Sequence, residues 1–124
     1  MIILGVDPGS LFTGYGVINY DSKLSYIVSG IIKLSGSMPM PERLGIIYSE
    51  LTKVIKEYKP TEFSIETAFF GKNVQSALKI GYARGSAILS AYHNSLNICE
   101  YSPREIKKSI AGTGSATKIG RAHV

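Results

Sequence analysis

With 124 residues the chain can build one domain with a real core and is too short for two. Its one cysteine, Cys99, excludes an internal disulfide framework and a cysteine-based zinc site. No apolar run approaches a membrane span, and Met1 leads straight into an apolar strand without a basic-then-apolar leader, which predicts a cytoplasmic protein. A net charge of +5 suits a polyanionic partner. Lys72, Lys79, Arg84, Arg104, Lys107, Lys108 and Lys118 gather in the second half, whereas five of the nine acids lie between Asp21 and Glu62.

Ile2 to Val6 is β-branched and closed by Pro8-Gly9, which predicts a strand buried on both faces. Asp7 stands where that strand ends. A carboxylate there either opens an Asp-Pro-Gly turn by bonding backbone amides or meets a cation or metal. Thr13-Gly14-Tyr15-Gly16 reads as a turn, followed by strands from Tyr15 to Tyr20 and from Leu24 to Leu34, joined as a hairpin through Asp21-Ser22-Lys23. Pro39 and Pro41 mark a helix entry. Leu44, Ile47, Leu51, Val54 and Tyr58 then form one apolar stripe, stopped by Lys59-Pro60.

Thr61 to Glu66 repeats the first strand's design, with Phe63 and Ile65 for the core and a terminal carboxylate, Glu66. A strand reached through a helical crossover lies parallel to its neighbour. If that neighbour is the first strand, Asp7 and Glu66 stand side by side at one edge, about 5 Å apart, where they can share a metal ion. Asn73 begins a second long helix running to about Asn94, with Val74, Leu78, Gly81, Gly85, Ile88, Leu89 and Tyr92 predicted as its buried side. Ala77, Gly81 and Gly85, four apart, make a smooth groove for close approach of either the sheet or the same helix of a second subunit. Asn97 to Tyr101 reads as a fifth strand holding Cys99 as a buried, inert thiol. Ser102 and Pro103 then open a short helix. The order βββαβαβα with a mixed sheet is α/β.

The string Ile3-Leu4-Gly5-Val6-Asp7-Pro8-Gly9-Ser10, with Thr13-Gly14-Tyr15-Gly16-Val17, resembles the start of RuvC, the family of bacterial Holliday junction resolvases. Ile65-Glu66, Phe69, Lys72-Asn73, Ser76-Ala77-Leu78-Lys79, Ala83-Arg84-Gly85 and Gly112 to Ala116 continue the resemblance in order and spacing. It implies a ribonuclease H-like mixed five-stranded sheet flanked by helices. It also implies an endonuclease of DNA recombination and repair that nicks a four-way junction symmetrically. Asp7 and Glu66 are then two of the acids that gather two Mg²⁺ ions, a chemistry suited to in-line phosphodiester hydrolysis. The resemblance further implies a homodimer, with Ala77, Gly81 and Gly85 at the contact, and partnership with the RuvA–RuvB branch-migration complex. Phe69 matches the aromatic that stacks on an unpaired base, although Phe70 can serve as well or Phe69 can fold onto the core. Lys72 lies in a matching stretch, and Lys107 and Lys118 match basic positions that contact DNA; each is otherwise a solvated lysine.

The family pattern continues into a further acidic helix, while here no Asp or Glu follows Glu105. The expectation is therefore a resolvase domain over residues 1–118 without that helix, and a 124-residue chain inactive in cleavage. Residues 119–124, Ile119 to Val124, resemble a translated sequencing adapter foreign to the domain. Two other functions compete: a module that binds junctions without cutting them, and a fragment of an actin-like or sugar-kinase-like ATP-binding fold, whose phosphate hairpin Asp7-Pro8-Gly9-Ser10 also resembles.

Overall fold

The computed structural model describes residues 1–66 and 73–101. Three strands open the chain, β1 (Ile2–Asp7), β2 (Phe12–Tyr20) and β3 (Leu24–Lys33), followed by helix α1 (Met40–Tyr58), strand β4 (Glu62–Glu66), helix α2 (Val74–His93) and strand β5 (Asn97–Tyr101). They form one sheet in the order β3-β2-β1-β4-β5. β1 and β2, and β2 and β3, pair antiparallel as hairpins require, whereas β1–β4 and β4–β5, each reached through a helix, are parallel. The short helix predicted after Ser102, and the boundary at residue 118, lie outside the described residues.

Registers and strand alternation place Val28, Val17, Leu4, Phe63 and Ile98 in one row across the sheet. That face carries both helices: Leu4, Val17 and Phe63 are fully buried with Ile47 and Leu51 of α1 and Ala83, Ala87 and Ala91 of α2. The next row on the opposite face is Ser29, Gly16, Gly5, Ser64 and Cys99, all small. Among the described residues, that face carries no helix.

The structure departs from the sequence expectation in three places. Thr13 to Gly16 is not a turn: β2 starts at Phe12, and Gly14 and Gly16 pair with Asp7 and Gly5 as extended strand. These glycines keep one part of the sheet face low rather than reverse the chain, and no described glycine has positive φ. Left-handed backbone occurs instead at Ser95 and at Lys59, whose N–H caps α1 by donating to Ile55 O.

Second, the buried side of α2 is Ala83, Ser86, Ala87, Ser90 and Ala91. Val74, Leu78, Leu89 and Tyr92 are at least half exposed, and a Cβ on Gly81 or Gly85 would meet nothing within 4 Å. Small side chains let α2 sit close to α1, where Ser86 Oγ donates to Leu44 O at 2.7 Å, so shape overrides hydrophobicity. The sheet is thereby excluded as the partner of the Gly81–Gly85 groove. Third, Cys99 is exposed, because Ile98 takes the core side of the outer strand and its neighbour must face away. In α1 the predicted Ile47, Leu51 and Val54 are buried, joined by Ile55 and by Arg43.

Candidate metal and nucleic-acid site

The strand order reverses at β1. The chain leaves β1 toward β2 and β3 on one side, then returns to add β4 and β5 on the other. Connections departing in opposite directions open a crevice at the C-terminal ends of β1 and β4. The parallel ladder pairs Val6 with Ile65, which puts the next residues, Asp7 and Glu66, at the same level of neighbouring strands. Val6 and Ile65 point into the helix-covered core, so both carboxylates stand on the opposite, open face. Strands about 4.8 Å apart bring two such side chains within reach of one ion.

Asp7 is exposed and Glu66 half-buried. Beside Asp7 across the ladder is Gly14, whose Cβ, were there one, would lie 3.9 Å from that of Asp7. Together Gly5, Gly14 and Gly16 keep this part of the face low, and it forms a broad depression with Tyr26 and Lys33 at its outer side. None of the described ion pairs or hydrogen bonds engages either carboxylate side chain. Asp7 is thus not consumed by capping its own turn. That turn is held from elsewhere: Thr13, fully buried, donates from Oγ1 to Gly9 O at 2.7 Å and accepts from Gly9 N–H at 3.2 Å. A side chain at Gly9 would collide with the Phe12 carbonyl oxygen, so the tight approach requires glycine there.

Two arginines without a role in the sequence expectation stand behind these strands: Arg43 holds the loop before α1, and Arg84 holds the end of β4. The Arg43 guanidinium, buried beneath the loop, donates to Met38 O and Gly36 O at 2.8 Å and reaches Ser10 O at 3.5 Å. Arg84 of α2 donates from Nε to Glu66 O at 3.3 Å and pairs through Nη2 with Glu100 Oε1 at 2.8 Å. Nothing in spacing or composition marks the carbonyl contacts of either arginine.

Oxygen donors from two carboxylates on an open face fit a hard divalent cation such as Mg²⁺. No third His, Cys, Asp or Glu among the described residues completes a group of three around a metal. Phe69, Phe70, Lys72, Lys107 and Lys118 lie outside the described residues. Ala77 and Gly81 are half-buried and Gly85 exposed on the outer side of α2, where Val74, Leu78 and Tyr82 complete a shallow apolar groove.

A family model described as crossover junction endodeoxyribonuclease RuvC matches residues 3–124. The chain is 54% identical over 120 residues to the crossover junction endodeoxyribonuclease RuvC of Chloroherpeton thalassium, covering 95% of this chain and 64% of that protein. To the corresponding protein of Psychromonas ingrahamii it is 51% identical over 118 residues, covering 94% and 68%. The chain therefore spans about two-thirds of the length of these relatives. Among solved structures, Thermus thermophilus RuvC in complex with a Holliday junction substrate superposes with a TM-score of 0.82 at 28% identity, over 87% of this chain and 68% of that one. The fold is accordingly ribonuclease H-like, and with the family model matched almost end to end, this chain belongs to the RuvC family of crossover junction endodeoxyribonucleases.

Proposed function

We propose that the full-length gene product is a structure-selective endonuclease that resolves four-way DNA junctions by Mg²⁺-dependent nicking. The observation that carries this reading is the pair Asp7 and Glu66, level with each other at adjacent parallel strand ends on the sheet face opposite the described helices. A divalent metal bound there would supply activation of a water and stabilisation of the leaving alkoxide. Asp7 and Glu66 would hold it through carboxylate oxygens. Gly5, Gly14 and Gly16 leave room for a sugar-phosphate backbone to come close to them. The Gly9–Thr13 clamp keeps the loop after Asp7 from collapsing onto the site. Phe69 or Phe70 is assigned to base stacking, and Lys72, Lys107 and Lys118 to phosphate contacts that set affinity rather than sequence preference.

Two opposed strands must be cut, which calls for two copies of the site. The exposed apolar side of α2 supports a homodimer: Val74, Leu78, Tyr82, Leu89 and Tyr92 are between 48% and 76% exposed, and Gly81 and Gly85 leave space for a neighbouring helix. Family membership supports work in the cytoplasm alongside RuvA–RuvB branch migration. Among the described residues no helix is long and apolar enough to cross a membrane.

The test uses a synthetic four-way junction and the full-length gene product. Wild type nicks opposed strands only with Mg²⁺. Asp7→Asn and Glu66→Gln abolish nicking and retain junction binding. Nicking by Asp7→Asn at the wild-type rate overturns the assignment, and metal-independent binding without any nicking by wild type favours a non-catalytic junction module.

A further inference from the structure

Glu66 is the last residue of β4, and its backbone is held unevenly. Toward β1 the ladder stops one residue earlier, at Val6 and Ile65; toward β5, Glu66 still pairs with Tyr101. Arg84, rising from the middle of α2 on the core side of the sheet, reaches over this end. Its Nε donates to Glu66 O at 3.3 Å, while Nη2 pairs with Glu100 Oε1 at 2.8 Å. Glu100 pairs with Ile65 in the β4–β5 ladder and so belongs to the helix-covered face. The guanidinium therefore ties the end of β4 to β5 from behind. The Glu66 carboxylate projects from the other face.

We propose that Arg84, held by Glu100, is a positioning residue that fixes the Glu66 carboxylate for the divalent metal; this rests on the metal site proposed above. The geometry separates two tasks that one cation cannot combine well. An arginine on the carboxylate side would neutralise Glu66 and compete with the metal. From the far side it grips the carbonyl, restricts the strand end, and leaves the carboxylate oxygens free. Arg84's side chain is 21% exposed, so the charged link is partly shielded from solvent. A planar fork can hold a carbonyl and a carboxylate at once in fixed directions, which an ammonium group cannot. Residues that orient metal ligands without touching the metal typically change metal affinity by about 10–100-fold when removed.

The test titrates Mn²⁺, as a probe for the hard-cation site, into the full-length gene product by electron paramagnetic resonance, with thermal unfolding of each variant in parallel. Asp7→Asn serves as the control for the site itself and loses the binding. Arg84→Lys and Glu100→Gln, both conservative in size, keep the fold and weaken Mn²⁺ binding by about tenfold or more, with metal-free junction binding unchanged. Arg84→Ala weakens it at least as much. Wild-type Mn²⁺ affinity in Asp7→Asn overturns the metal site. Loss in Asp7→Asn with wild-type affinity in Arg84→Lys and Glu100→Gln overturns the positioning role alone. So does a loss that merely follows the fraction of unfolded protein, since that marks a strut and nothing more.

Discussion

Replacing Arg43 by Met keeps most of the apolar stem and removes the guanidinium that holds the loop between β3 and α1. The side chain is 8% exposed, and its described partners are carbonyls, with no carboxylate among them. The contact to Ser10 O at 3.5 Å is too long to count for much, whereas those to Met38 O and Gly36 O at 2.8 Å are well formed. A hydrogen bond from a charged donor contributes about 1.5–3 kcal/mol, giving an upper bound of about 3–6 kcal/mol for the pair. Gly36 is exposed and Met38 half-buried, so water reaches part of what is uncovered and the expected loss falls to about 2–4 kcal/mol. Urea unfolding of wild type and Arg43→Met measures it, and Arg43→Lys, able to reach one carbonyl but not both, recovers less than half. Faster amide exchange in the loop from Gly36 to Met38 should accompany the loss. A stability change under about 0.5 kcal/mol, the level of an ordinary surface substitution, refutes the argument that those carbonyls depend on Arg43.

Gly81→Leu tests the α2 surface: within one subunit a side chain there meets nothing, and replacing a helical glycine adds up to about 1 kcal/mol of helix stability, so the monomer holds while the proposed dimer dissociates. Sedimentation of wild type and variant decides it, and an unchanged dimer moves the contact elsewhere. Tyr15 gives an alkaline prediction. Burial first, then the nearby Tyr58, Glu50, Glu57 and Tyr26, raise its phenol above 10.0. A pKa raised by folding stabilises the protein below the unfolded value, and the contribution is lost as pH rises through the folded value. Thermal midpoints should therefore fall less between neutral pH and about pH 11 in Tyr15→Phe than in wild type, and parallel declines would contradict the shift.

The legible part of this molecule was that written in large apolar residues and turns. Ile2–Val6, Phe63 and Ile65 announce core strands because alternation and β-branching leave them few other places, and Asp21-Ser22-Lys23 joins its hairpin as composition suggests. The α1 stripe emerges for the same reason. α2 does not, since its inner side is chosen by closeness. Ala83, Ala87 and Ala91 fit against the core where Leu78 and Tyr92 would not, and hydrophobicity alone ranks those residues the wrong way round. Glycine misleads similarly at Gly14 and Gly16, which keep strand dihedrals and serve by having no side chain.

For the candidate site the division is sharper. The residue string by itself determined that carboxylates end two core strands and that a helix lies between those strands, because strand length, crossover rules and the cost of burying an acid are local properties. Tertiary structure alone decided that the two ladders align Asp7 with Glu66 on the face opposite the described helices, and that Arg84 braces the end of β4 while Arg43 holds the loop before α1. Apart from the Arg84–Glu100 pair, those contacts end on main-chain carbonyls, which every residue possesses, so no side-chain pattern could have announced which ones an arginine would find.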